Sequence, residues 1–154
     1  MEVTLQSFRL QTAGLRGEFE ALVSPDGRLE SQGVSGRFSL PTDSLHSGNR
    51  LFDRDMKKML EIRKYPEITG EILDVKADDA NGGYQLRGNL TLHGVRNEVT
   101  GRARVVELGD GHALIEGAMT LDFTHFKLDP PKLLILKVMP ELEIWGHVYA
   151  ERQP

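Results

Sequence analysis

The side chains of this sequence that could do chemistry are five histidines and a set of acids, and cysteine is absent. Metal sites within one strand or helix place histidines two or four positions apart, and no two of these histidines have that spacing. Without cysteine there are no disulfides, thiolate zinc sites or cysteine nucleophiles. The sequence therefore predicts neither a metal site nor a cofactor. His93 and His112 adjoin turn signals and are expected on the surface.

His125 is the histidine best placed for chemistry, because it stands between Phe123 and Phe126. It could contact a ligand headgroup, or transfer a proton if the protein were an enzyme. Asp53 and Asp55 are better explained as acids in the first turn of a helix, where the helix dipole favours negative charge. The motifs of serine hydrolases, zinc proteases and phosphate loops are absent, so no catalytic residue is predicted.

Seven glycines share one local pattern, in which an apolar residue stands two positions before and two positions after the glycine. In a β-strand this spacing places all three residues on one face, and the glycine leaves a gap in that face. Seven such gaps indicate strongly coiled strands around a partly unfilled apolar interior. The alternative is that the glycines only let strands bend at barrel corners. The seven are Gly17, Gly36, Gly70, Gly88, Gly101, Gly117 and Gly146.

Alternating strand patterns recur along the chain and are separated by turn signals. They predict strands over residues 3–10, 14–23, 28–40, 67–76, 84–93, 97–108, 112–123 and 141–151. A helix is predicted over 53–61, with Asp53 as its N-cap. Eight strands in hairpin order predict an all-β fold, an eight-stranded antiparallel barrel with one or two short helices at its mouth. A barrel of this size holds one small ligand.

Length and composition restrict the functional class. The 154 residues carry a net charge of −4, and one domain over 1–154 is expected. The basic residues are scattered, so nucleic acid is not an expected partner. No apolar run approaches the roughly 18 residues of a membrane span. The first residues do not have the pattern of a signal peptide, so a cytoplasmic protein and one whose signal peptide has been removed both remain open.

Two blocks of sequence resemble the YceI-like family. The first comprises Gly48-Asn49, Arg54–Met56 and Lys64–Ile68, and the second is Gly88–Val95. The resemblance implies a lipocalin-like eight-stranded barrel that binds a long isoprenoid or related lipid tail. It also implies a bacterial and usually periplasmic protein, and it brings no catalytic residues.

The sequence departs from the family pattern at three positions. Gly70 stands where the family usually has an aromatic residue, and Phe123 and Lys127 replace an arginine and a glycine of a later segment. The usual headgroup contacts therefore do not transfer to this chain, and the identity of the ligand is left open.

The predicted function is to bind, and to carry or store, an elongated apolar lipid such as a polyisoprenoid or a quinone, without catalysis. The alternatives are an enzyme acting on an apolar substrate in the same cavity and an interaction module with a filled barrel. The interior candidates for ligand binding are Phe19, Phe38, Leu86, Leu90, Met119 and Leu121. The candidates at the mouth are Met56, Met59, Phe126, Leu133 and Leu134.

Two further features concern surfaces of the barrel. Prolines bracket the apolar segment 130–140, which is interpreted as a lid, a plug or a dimer contact. Trp145 and Tyr149 are predicted on the outer face of the last strand, where they favour either a homodimer or a covering loop.

Overall fold

The computed structural model describes residues 4–12, 14–25, 34–78, 83–126, 128 and 141–153, and in this part of the chain eight antiparallel strands form a closed barrel. Each strand pairs with the next, and β1 closes the barrel by pairing with β8 over Phe8–Gln11 and Tyr149–Arg152. The predicted fold class is confirmed. The strands are β1 (Thr4–Thr12), β2 (Leu15–Val23), β3 (Ser35–Pro41), β4 (Glu67–Asp78), β5 (Gly83–Leu92), β6 (Val95–Gly109), β7 (His112–Asp122) and β8 (Glu141–Arg152).

Alternation along the strands separates an apolar inner face from a charged outer face. Ion pairs join outer residues of neighbouring strands, and most link an arginine to a glutamate. Exposed pairs of this kind contribute little to stability. They do favour this register, because a slip by one residue would turn every charge inward. Examples are Arg87–Glu98 at 2.8 Å, Arg96–Glu71 at 3.1 Å and Arg102–Glu143 at 3.1 Å.

Tight turns connect β5 to β6 and β6 to β7. His93 and Gly94 join the first pair with φ of 55° and 71°. Two consecutive positive φ values are typical of a type I′ hairpin, whose twist matches that of the strands. Gly111, with φ of 75°, occupies the second turn. The sequence predicted a hairpin at both places.

The long connection between β3 and β4 contains the helix α1 (Arg50–Met59) and a short 3₁₀ turn, Thr42–Ser44. The prediction that Asp53 is the N-cap was wrong. Asn49 caps the helix, and its side-chain oxygen accepts hydrogen bonds from the amides of Leu51 and Phe52, both at 3.1 Å. The helix thus begins about one turn before its predicted start.

Asp53 instead fixes the segment that precedes the helix. Its carboxylate accepts hydrogen bonds from the backbone N–H of Ser47 at 2.8 Å and from the Ser47 hydroxyl at 2.7 Å. The hydroxyl bond is the largest cause that lowers the pKa of Asp53 below 3.8, since both bonds favour the charged form.

The predicted third strand, over 28–40, was wrong at Val34. β3 begins at Ser35, and Val34 is buried but lies outside the strand. Residues 28–33 of that prediction lie outside the described residues. The sixth strand begins at Val95, two residues before its predicted start, because the hairpin at His93 and Gly94 already permits pairing from that residue.

The barrel interior contains two separate apolar clusters. The capped-end core lies where α1 and a second 3₁₀ turn, Phe123–Phe126, pack on the barrel. The far-end core lies at the opposite ends of the strands. The capped-end core comprises Met56, Leu60, Ile68, Leu90, Leu92, Leu121, Phe126 and Leu128, and the far-end core Phe19, Ala21, Val34, Val75 and Ala150.

Candidate functional site

All seven patterned glycines lie on the inner face of the barrel, as their spacing predicted. Residues directly opposite each other in antiparallel strands share a face. Gly36 lies opposite the buried Phe19, and Gly70 lies opposite the buried Leu90. The register continues the same face through the other glycines. The glycines therefore form a belt around the inner wall, between the two cores, in which these seven residues contribute no side chain.

Along β2, β3 and β4 this belt is filled by aromatic rings and by close backbone contact. A Cβ atom on Gly17 would lie 2.5 Å from the carbonyl oxygen of Arg37, and one on Gly36 would lie 2.5 Å from the Cβ of Phe19. The ring of Phe38 covers Gly70. On this side the glycines let the neighbouring strand or an aromatic ring pack directly against their backbone, so they leave no free volume.

Along β7 and β8 the same belt is open. Among the described residues, a Cβ on Gly117 would meet only the carbonyl oxygen of Arg102, at 3.9 Å, and no described atom lies within 4 Å of one on Gly146. On β6 a Cβ on Gly101 would lie 3.1 Å from the carbonyl oxygen of Ala118, so this glycine is in close contact. Gly117 and Gly146 lie directly opposite each other. A continuous stretch of inner wall without side chains therefore runs across β7 and β8.

Apolar side chains border this open wall and keep part of their surface accessible although they face inward. Met119 and Ile144 pack at its edge toward the capped-end core. Ile115 and Val148 pack at its edge toward the far-end core. All four are only partly buried. Inward apolar surface that stays accessible indicates room that the described side chains do not fill.

The structure distributes the predicted ligand-binding residues over four environments. Met119 borders the open wall, and Leu86 lies opposite Gly101 and packs against the far-end core. Phe19 and Phe38 fill the belt on its closed side. Met56, Leu90, Leu121 and Phe126 are buried in the capped-end core, and Met59 packs against it. Leu133 and Leu134 lie outside the described residues. A role for any of these side chains in ligand binding stays a prediction.

Ile144, Val148 and Ile115 also border the open wall and were not among the predicted site residues. Each belongs to one of the glycine triplets in the sequence. The signal was therefore present, but the sequence does not indicate which of the seven glycines are covered by aromatic rings and which are not.

His125 is not enclosed in the barrel. Its side chain is 69% exposed, and its ring nitrogen lies 3.6 Å from Asp122. The pKa of Asp122 is lowered chiefly by the hydroxyl of Thr124, which donates to it at 2.5 Å.

No group of three acidic or histidine side chains suited to a metal occurs in the described ranges. Within those ranges, no helix is long and apolar enough to span a membrane.

His93 is not a plain surface residue, in contrast to the prediction. Only 18% of its side chain is exposed, and its Nε2 lies 2.5 Å from a carboxylate oxygen of Glu61. Its ring also contacts Tyr65 edge to face, with 4.8 Å between centroids. The turn at Gly94 brings these groups together, so the two sequence blocks that resemble a family meet in space.

Comparison with known proteins agrees with this architecture. A family model described as a YceI-like domain matches residues 2–148. No curated protein matches the sequence. A Campylobacter jejuni YCEI protein superposes with a TM-score of 0.68 at 15% identity, covering 94% of this chain and 85% of the other.

Two further solved structures share the fold at similarly low identity. Burkholderia cenocepacia BcnA gives a TM-score of 0.65 at 15% identity and covers 96% of this chain and 99% of its own. A polyisoprenoid binding domain from Saccharophagus degradans, implicated in plant cell wall breakdown, gives 0.55 at 14% identity, covering 97% and 94%.

Proposed function

The chain belongs to the YceI-like domain family, and from this membership we propose that it binds an elongated apolar lipid inside its barrel. The tail of a polyisoprenoid or of a quinone has the required chemistry. The similarity to a polyisoprenoid binding domain supports this class of ligand. We further propose that the protein carries or stores the lipid without changing it.

The open inner wall beside Gly117 and Gly146 is the observation that carries the proposal. A tail lying there would bury its own surface and that of the accessible side chains around it, such as Met119 and Ile144. Burial of apolar area contributes roughly 25 cal/mol per Å², or about 0.8 kcal/mol per CH₂. A long unbranched or isoprenoid tail gains most from such a wall, because it needs no polar partner.

The surroundings of His125 support binding without catalysis. Its exposed side chain is paired with Asp122 outside the apolar interior, away from a tail held against Gly117. We therefore expect His125→Ala to keep its bound lipid. If the parent turned over a lipid substrate and His125→Ala lost this activity while still binding the lipid, the enzymatic alternative would be favoured.

Gly117→Leu tests the location of the lipid. The added side chain would occupy the open volume beside the strand, so the variant should fold with a Tm close to that of the parent. It should also retain much less co-purified lipid in native mass spectrometry without detergent. Ala118→Leu is the matched control, since residue 118 lies next to it on the outer face and should change neither quantity.

The same experiment distinguishes the proposed binding protein from a filled interaction module. A filled barrel has no room for a leucine, and overpacking costs about 1–3 kcal/mol. A parent protein without lipid, together with a Gly117→Leu variant of much lower Tm, would contradict lipid binding.

We propose separately that the protein forms a homodimer through the outer face of β8. Trp145 and Tyr149 are 70% and 57% exposed there, and aromatic side chains are enriched in interfaces. Light scattering on the parent and on Trp145→Ser tests it, because loss of a dimer in the variant is the expected result. The periplasmic location that the resemblance implies is likewise a prediction.

A further inference from the structure

A second concave surface lies on the outside of the barrel and crosses β2 to β6. It encloses about 620 Å³, which is within the size range of small-molecule sites. Its central residues lie directly opposite one another on five successive strands. We call this row the outer trough, and it consists of Arg16, Ser39, Thr69, Thr91 and Arg96.

The charges around the outer trough leave one arginine without a compensating acid. Arg37 lies 3.5 Å from Glu18, and Arg96 lies 3.1 Å from Glu71. Arg16 forms no ion pair with any residue that the structure describes. Because the lining groups Arg16, Arg37 and Arg96 outnumber the two glutamates by one, the surface favours a ligand with a small number of negative charges.

The middle of the outer trough presents hydroxyl groups that have no hydrogen-bond partner among the described residues. Ser39, Thr69 and Thr91 follow one another across three strands, with Cβ atoms of opposite residues about 4.5–5.5 Å apart. None of their hydroxyls forms a hydrogen bond within the described ranges. The amide of Asn89 lines the same surface. Hydroxyls and amides both donate and accept, so this row matches a ligand that carries many hydroxyl groups of its own.

We propose that the outer trough binds an acidic oligosaccharide, with one carboxylate on Arg16 and sugar hydroxyls along Ser39, Thr69 and Thr91. An extended polyanion fits less well, because Glu18 and Glu71 stand beside the row and would repel closely spaced phosphates. The strand wall separates this surface from the barrel interior. The proposal therefore does not rest on the proposed lipid site.

Titration of the ¹⁵N-labelled protein with maltotrionate, a trisaccharide acid that carries a single carboxylate, tests the proposal, with maltotriose and sulfate as comparison ligands. Maltotrionate should shift the amide signals of Ser39, Thr69 and Thr91 in a saturable manner, and the other two ligands should bind much more weakly. No saturable shift at these residues would overturn the proposal. Equal binding of sulfate would reduce the site to an anion site, and equal binding of maltotriose would remove the role of Arg16, so either result also contradicts it.

Variants of the trough connect binding to the named side chains. Arg16→Gln should weaken maltotrionate binding by about tenfold or more, since it removes a charge-assisted hydrogen bond. Thr69→Val keeps the shape and strand preference of threonine and should also weaken binding. Arg104→Gln is the control, because Arg104 lies outside the trough and pairs with Glu116 on the same outer face. Equal affinity in all three variants would show that the sugar binds elsewhere.

Discussion

At the scale of single residues, the start of α1 depends on two polar side chains with separate tasks. Asn49 satisfies two backbone amides of the first turn, which have no partner inside the helix. Asp53 reaches back to Ser47 and holds the preceding segment against the helix. The helix in turn places Met56 in the capped-end core. Two surface hydrogen-bond systems therefore position a buried apolar residue.

Asn49→Ala should destabilise the protein by about 1 kcal/mol, the usual cost of losing an N-cap. In a chain of this length that corresponds to a Tm lower by about 2–4 °C. Thermal unfolding followed by circular dichroism measures the change. Asn49→Asp keeps an acceptor at the cap and should retain the Tm of the parent. An unchanged Tm in the alanine variant would show that the cap is dispensable.

Asp53 should make stability depend on acid pH. Its pKa in the folded protein is lowered from 3.8, so its contribution is fully present above the unfolded value. The contribution is lost as the pH falls through the folded value. Tm measured between about pH 5 and pH 2 should therefore fall less steeply in Asp53→Asn than in the parent. Asp110→Asn, in the β6–β7 turn, is the control, and identical slopes in parent and Asp53→Asn would contradict the role of this carboxylate.

At the scale of elements, the connection from β3 to β4 is held to the barrel at the β5–β6 turn. Thr42 donates its backbone N–H to the carbonyl of Pro66 at 2.8 Å and its hydroxyl to the carbonyl of Tyr65 at 3.0 Å. The ring of Tyr65 then packs on His93 and over Gly94. The connection that contains α1 is thereby fixed at its end, which keeps the helix on the capped end of the barrel.

Gly94→Ala should disturb this contact as well as the turn. A Cβ at this position would lie 2.8 Å from Cε1 of Tyr65, and the backbone has φ of +71°. Gly111→Ala is the matched control, because its φ is +75° but no described atom lies within 4 Å of the added Cβ. Both variants should lose the 1–2 kcal/mol, roughly, that left-handed backbone costs an alanine. Gly94→Ala should lose clearly more in urea unfolding, and equal losses would mean that the Tyr65 contact is easily displaced.

The β2–β3 and β7–β8 pairs should respond in opposite ways to an added methyl group. Gly36→Ala would bring a Cβ to 2.7 Å from the carbonyl oxygen of Glu18, so the strands must separate, at about 1–3 kcal/mol. Gly146→Ala meets no described atom within 4 Å and should gain about 0.5–1 kcal/mol from its lower unfolded-state entropy. Urea unfolding of both variants measures the difference. Equal destabilisation would contradict the division of the belt into a filled and an open side.

At the scale of the whole molecule, the proposed lipid would lie in the partly open belt between the two cores and would stabilise the folded state. A ligand that binds only the folded protein raises the free energy of unfolding, by about 2.7 kcal/mol at a hundredfold excess over Kd. Protein stripped of lipid should therefore unfold at a lower temperature than protein as purified. Because the proposed contacts of the lipid are apolar and the ion pairs lie on the outer face, this difference should vary little with moderate salt.

Stability should also increase with the length of the lipid tail. Each additional buried CH₂ contributes about 0.8 kcal/mol until the tail fills the space between the cores. Longer tails should then add nothing. A series of prenyl alcohols added to stripped protein, with Tm as the readout, measures this dependence. A Tm independent of tail length would contradict burial of the tail inside the barrel.

The sequence alone determined the strand order and the face on which each strand residue lies. Both follow from a side-chain period of two and from turn residues between strands, as at His93 and Gly94. It also placed all seven glycines on the inner face. Strand ends were less determined, because Val34 falls inside the predicted third strand but lies outside β3, which begins at Ser35. The helix start was missed because two nearby acceptors, Asn49 and Asp53, compete for the cap, and local sequence does not rank them.

Only the tertiary structure decided which glycines leave room for a ligand. Gly36 and Gly117 have the same local pattern in the sequence, yet a Cβ on the first would meet Phe19 at 2.5 Å and one on the second meets no described side chain within 4 Å. The difference arises from the neighbouring strand, since register and coiling decide which ring lies opposite which glycine. The outer trough has the same origin, because Arg16, Thr69 and Arg96 are far apart in the chain and become neighbours only through four successive strand pairings.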